Sequence, residues 1–194
     1  MESELEKVRK WKKPRSIFVQ SMGDLFHEEV SDDFITDVFH YIDLGRAHTY
    51  IMLTKRPRVM LAQVKRSQME PSDYPHIYFG LTVCNQAEWD EKKKWFLRIP
   101  GKLFISHEPA LERIDYGDDL KRIAVLISGG ENARGARPSW PDIFRNDREQ
   151  TFDAGIDFFF KGYGNYKGEK DWTIPPGRLL DGRTHDDLPW HKGD

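Results

Sequence analysis

The stretch Ile123-Ala124-Val125-Leu126-Ile127-Ser128-Gly129-Gly130-Glu131 decides the fold class. Its first five residues are apolar without alternation, which suits a short strand covered on both faces, as in a parallel sheet flanked by helices. Ser128-Gly129-Gly130-Glu131 then breaks the run into a polar turn. In open α/β sheets, ligands gather outside the carboxyl ends of the strands, so this turn is also the first place to look for chemistry.

The same plan extends in both directions. After a loop rich in Gly, Ala, Arg and Pro, Trp140 to Ala154 reads as a helix ended by Gly155, and Ile156 to Lys161 as a strand. Upstream, Lys102 to Ser106 is a strand, and the polar segment Pro109 to Lys121 has room only for a turn or short helix. Ile77 to Val83 precedes a charged helix ending near Ile99, whose Trp89, Trp95 and Phe96 cover the sheet. Thr49 to Thr54 precedes a helical stretch over Val59 to Gln68 that follows Pro57. Ser16 to Gln20 precedes a helix capped by Ser31, with Phe34, Ile35, Val38, Phe39 and Ile42 on its buried face and Gly45 at its close. Repeated strand and helix units argue for parallel strands joined by right-handed crossovers. The predicted fold is α/β, a partial or incomplete TIM-like barrel of about six mainly parallel strands with flanking helices, short of the eight strands of a closed barrel. Residues 1–15 form a charged extension with a short amphipathic pattern, 16–162 the partial barrel, and 163–194 an irregular tail packed on the domain.

Composition narrows the function classes. The 194 residues are 38% hydrophobic and 13% aromatic, as a globular domain requires. Thirty basic and 32 acidic residues give a net charge of -2, so any nucleic-acid role is local. A single cysteine, Cys84, forms no internal disulfide, cysteine zinc site or self-contained iron-sulfur cluster, and reads as a buried or semi-buried thiol. With no 18-residue apolar run and a charged start, the chain reads as cytoplasmic.

Every predicted strand ends in polar chemistry, and the expectation is that these groups converge on one rim. Asp24 and His27 follow the first strand, as ligand contacts or as turn and helix caps. Lys55-Arg56-Pro57-Arg58 reads as an anion-binding turn or as a solvated, salt-bridged one. Thr82 ends the third strand. His107-Glu108 is a conceivable proton-transfer pair, with Glu108 the better binding residue because Pro109 fixes the exit from its strand. Gly129 and Gly130 permit close backbone approach while Glu131 accepts hydrogen bonds, although a structural turn explains them too. Lys161 reads as pairing with an acidic rim residue or an anionic ligand, or as a structurally paired or solvent-exposed lysine. The tail aromatics Tyr163, Tyr166, Trp172 and Trp190 cover the rim or stack on a base, and Asp181 and Arg183 suit internal salt bridges. No catalytic residue is assigned, and no metal site is expected.

Several ordered segments carry a family resemblance: Trp11-Lys12-Lys13-Pro14-Arg15, Phe18-Val19-Gln20-Ser21-Met22-Gly23-Asp24-Leu25-Phe26-His27, Leu53-Thr54-Lys55-Arg56-Pro57 and Ser106-His107-Glu108-Pro109. With Ser128-Gly129-Gly130-Glu131, Arg137-Pro138, Phe160-Lys161 and Leu180-Asp181-Gly182-Arg183, the chain resembles the phage Gp37/Gp68 family over roughly residues 11 to 189. Longer members of that family look like radical S-adenosylmethionine proteins with an upstream cysteine-rich segment for a 4Fe-4S cluster. The resemblance implies contacts to the methionyl or nucleoside part of such a cofactor around Thr82, Glu108 and Glu131. The upstream cysteines are missing from this sequence, so the expectation is a shortened relative, or one whose missing portion comes from a cysteine-bearing protein partner. The resulting reading is a phage-type protein with an S-adenosylmethionine-like or nucleotide-like ligand cleft and no autonomous radical chemistry. The alternatives are a subunit of a split radical enzyme, with the 4Fe-4S cluster held by partner ligands, a metal-assisted hydrolase, and a non-catalytic interaction protein.

Overall fold

A computed structural model describes residues 6–8, 10–20, 23–67, 75–167 and 177–191. Six strands form the sheet: β1 (Ser16–Val19), β2 (Thr49–Thr54), β3 (Ile77–Val83), β4 (Lys102–His107), β5 (Ile123–Gly129) and β6 (Asp157–Gly162). The helices between them are α1 (Asp32–Leu44), α2 (Pro57–Arg66), α3 (Gln86–Phe96) and α4 (Pro141–Ala154), with a 3-10 turn at Gly117–Arg122. The sheet order is β1-β2-β3-β4-β5-β6. Ser16 pairs with Thr49, Tyr50 with Ile77, Phe104 with Val125 and Leu126 with Phe158, each in a parallel ladder. Sequential parallel strands with intervening helices are the α/β topology of a partial TIM-like barrel, as predicted.

The chain divides into two compact units, one of Met1–Leu81 with Lys94–Lys102, the other of Thr82–Lys93 with Leu103–Asp194. In the first unit, the Ser31 hydroxyl accepts from the Phe34 amide at 3.3 Å and caps α1, while Asp32 and Asp33 place negative charge at the positive end of the helix dipole. Ile35, Val38, Phe39 and Ile42 form its buried face. Gly45 closes α1 through close approach: a Cβ there would lie 2.1 Å from the Tyr50 hydroxyl. α2 starts at Pro57, where a missing N–H costs nothing, and buries Met60, Leu61 and Val64.

In the second unit, the Ile123 run becomes β5, with five of its seven residues buried. α4 buries Ile143, Phe144, Asp147 and Thr151 and ends at Gly155, whose φ of 68° lies in the left-handed region that glycine adopts without strain. Phe144 packs on Phe160 with ring centroids 4.9 Å apart. β4 and β6 run one residue further than the sequence suggests, to His107 and Gly162. β6 reaches Gly162 by pairing with Gly129 of β5, and the tail lines its other edge: Asp186 bridges Phe159 in antiparallel sense, and the Phe160 amide donates to the His185 carbonyl at 2.9 Å. Trp190 meets Phe104 edge to face at 5.4 Å, whereas Trp172 and Ser21 lie outside the described residues.

Candidate functional site

The first unit places Asp24, Lys55 and Arg56 in one knot. The Asp24 carboxylate accepts from the Thr54 hydroxyl at 2.8 and 2.9 Å, the Lys55 amide at 3.2 Å, the Arg56 guanidinium at 3.0 Å and the Phe26 amide at 3.0 Å. The Arg56 amide donates to the Thr54 hydroxyl at 2.9 Å. Both Asp24 oxygens are thus committed to holding the β1 exit loop onto the β2–α2 turn. His27 accepts from the Glu29 amide at 3.2 Å, as a local turn residue does. The Lys55 side chain is exposed.

The other six candidates belong to the second unit. Thr82 is buried near the end of β3. Glu108, just beyond β4, pairs with Lys161 on β6 at 2.8 Å, and Gly129 on β5 sits beside them, where a Cβ would lie 3.1 Å from that of Lys161. Gly130 is where two chain segments cross: its amide donates to the Gly162 carbonyl at 2.9 Å, and a Cβ would fall 2.0 Å from the Tyr163 carbonyl oxygen. Glu131 is clasped by Arg137, whose amide, Nε and Nη2 donate to it at 2.8, 3.1 and 2.9 Å. Those side-chain and backbone donors hold the Glu131 carboxyl down to about 2. Glu131 therefore stays ionised and pins both ends of the loop between it and Arg137.

His107 turns away from Glu108 into the interior. Its Nδ1 lies 2.8 Å from Asp147 Oδ2 on α4, and the Ser128 hydroxyl donates to the same oxygen at 2.6 Å, with all three side chains fully buried. Tyr116 packs edge-on to Trp89 at 5.2 Å and to His107 at 6.5 Å. Burial, with Asp147 as a second cause, pushes the Tyr116 hydroxyl well above its ordinary value. Ser128 donates to the carboxylate, and its oxygen has no exposure to substrate, so this network joins α4 to the sheet. It is not a nucleophilic triad.

Beside Lys161 the second unit opens into a cleft of about 1160 Å³. One wall is Asn132 to Ala136, the loop pinned by Glu131 and Arg137; the other is Lys161 to Lys167, with Gly177 and Arg178 at the end. The two walls are tied by the Asn165 amide, which donates to the Glu131 carbonyl at 2.7 Å. Lys161, Arg134, Lys167 and Arg178 line the cleft, and among the described residues no carboxylate does. Lys161 and Arg178 are balanced by Glu108 and Asp186, and Arg178 also stacks over Phe159 at 4.4 Å. Arg134 and Lys167 are exposed and, among the described residues, have no ion-pair partner. Tyr166 is half-exposed in the wall and Tyr163 buried, its hydroxyl donating to the Leu179 carbonyl at 3.1 Å.

Sequence reasoning reached Lys161 and the Gly129-Gly130-Glu131 turn but left Lys167, Arg178, Asn132 and Asn165 out of the site. Their signal was Gly162, Gly164 and Gly177 set among cations, which reads as an irregular tail until the β6 exit is folded against the 131–137 loop. The donor set for a 4Fe-4S cluster does not fit: these residues offer one thiol, Cys84, where three are needed.

Fold and site together define an α/β protein of partial-barrel topology with an open, cationic cleft beyond β5 and β6. The chain belongs to the family described as "Protein of unknown function (DUF5131)", whose model matches residues 1–189. No curated protein and no solved structure matches it. Among the described residues, no helix is long and apolar enough to cross a membrane.

Proposed function

We propose that this is a binding protein of phage type whose cleft takes a phosphorylated, nucleotide-like ligand, without autonomous radical chemistry. The carrying observation is the cleft lining, with four cationic side chains and no described carboxylate. Arg134 and Lys167, whose charges no described side chain balances, meet the phosphates, Arg offering paired planar donors and Lys a compact charge. Asn132 and Asn165 supply both donors and acceptors for a base or ribose, and Tyr166 supplies a ring to stack on. The volume is ample for a mononucleotide.

The same lining weighs against S-adenosylmethionine. That molecule carries a sulfonium and an ammonium against one carboxylate, so its net charge is positive and a cationic cleft repels it. A single thiol leaves any radical step to cysteines outside these residues. The metal-assisted hydrolase reading loses its first ligand, since Asp24 is already saturated by protein donors.

Calorimetric titration of the purified protein with ADP and, separately, with S-adenosylmethionine tests the reading. ADP is expected to bind and S-adenosylmethionine not to. Arg134→Glu is expected to weaken ADP by about tenfold, the loss of a charge-assisted contact. Failure of ADP to bind folded protein, or preference for S-adenosylmethionine, rejects it.

A further inference from the structure

The first unit carries a second cationic surface that the cleft does not use. Trp95, half-buried at the end of α3, has three cationic groups around its ring: the Arg58 guanidinium at 5.6 Å from the centroid, the Lys94 ammonium at 5.7 Å and the Arg98 guanidinium at 5.8 Å. Arg58 belongs to α2, so the grouping is made by tertiary packing as well as by neighbours along α3. All three cations are exposed, and among the described residues none has an ion-pair partner. Lys55, exposed and equally without an ion pair among the described residues, stands three residues before Arg58 in the chain. The first turn of α2 adds no acidic side chain to offset them. Elsewhere on α3 the lysines are neutralised: Lys92 by Glu88 at 2.6 Å, and Lys93 by Asp90 at 3.3 Å and Asp119 at 3.4 Å.

A protein of net charge -2 that leaves these cations uncompensated around one indole has a surface complementary to a polyanion with flat aromatic faces. We propose that the face around Trp95 binds single-stranded nucleic acid, one base stacking on the indole while neighbouring phosphates meet Arg58, Lys94, Arg98 and Lys55. An acidic peptide would satisfy the charges but give Trp95 no planar partner. A duplex would present phosphates but keep its base faces stacked inside. A single strand offers both along one backbone. This surface is independent of the cleft, and its failure leaves the nucleotide reading standing.

Fluorescence anisotropy of a short labelled oligothymidylate, titrated with the full chain, tests the proposal. Saturable binding is expected, with log affinity falling against log salt at a slope of about -2 to -3, the value for three or four neutralised phosphates on a single strand. Trp95→Ala is expected to weaken binding by about tenfold, within the range for losing one stacked base. The exposed double variant Arg58→Glu/Arg98→Glu is expected to abolish the salt-dependent binding while leaving the melting temperature near that of the wild type. Excess ADP is expected to leave the oligonucleotide bound. Should Trp95→Ala fail to fold, Trp95→Phe, which keeps a ring, is expected to retain binding, and the double charge variant decides. Absence of saturable binding, indifference to the Arg58→Glu/Arg98→Glu change, or equal competition by polyglutamate overturns the proposal.

Discussion

Asp147 is a buried carboxylate on which two other buried groups depend, both through one of its oxygens. Asp147→Ala strands the His107 imidazole and the Ser128 hydroxyl without an acceptor, and a loss of about 3 kcal/mol is expected in urea denaturation. Ser128→Ala removes only one donor and is expected to cost about 1 kcal/mol. Glu131 behaves differently because it keeps partial contact with solvent and titrates. Its carboxyl, at 4.5 in the unfolded chain, is held at about 2 by Arg137 in the folded one. The stabilisation from this pair is therefore complete above pH 4.5 and disappears as pH falls through 2. Glu131→Gln is expected to flatten this part of the acid-denaturation profile, read as the urea midpoint against pH. The pairing of His107 was not legible in the sequence. Its neighbour Glu108 was the visible candidate, but successive residues leaving a strand face opposite ways, and the true partner lies 40 residues further on. Glu108 instead meets Lys161, 53 residues away, because β4 and β6 flank β5 and Gly129, with no side chain, lies between the two.

The elements were the most legible level. Local rules specify α1 fully: a hydroxyl cap, acids in the first turn and an apolar stripe at helical spacing. Ser31→Ala is accordingly expected to cost about 1 kcal/mol in thermal or urea denaturation. The strands also declared themselves, since each is a short run of β-branched and aromatic residues. Sequence reasoning read less well where an element ends on a tertiary contact. β6 continues to Gly162 because Gly162 still pairs with Gly129 of β5 beyond a register shift, and no local pattern announces that pairing. Gly130 is the sharpest instance. Its sequence reads as an opening for ligand, whereas the space beside it is taken by the Tyr163 carbonyl. Gly130→Ala must push the 131–137 loop off the β6 exit, so a loss of about 3 kcal/mol and a deformed cleft are expected. The checks are denaturation and the affinity for ADP. An unchanged affinity would separate this crossing from the cleft wall.

At the scale of the whole molecule, a near-neutral chain concentrates positive charge in particular places, and the cleft of the second unit, lined by four cationic side chains, is one of them. The topology was readable from repeated strand and helix units, yet the cleft was not, because half its wall comes from a tail with no periodic pattern. Two of its cations are already held by Glu108 and Asp186, which leaves Arg134 and Lys167 as the charges a ligand meets first. Hydrogen exchange with and without ADP locates the ligand directly, since bound segments open less often. The account expects slowed exchange over residues 132–136 and 162–167, with the β2–α2 turn at Lys55 to Arg58 unchanged. Protection confined to that turn, or none in either cleft wall at saturating ADP, would contradict it.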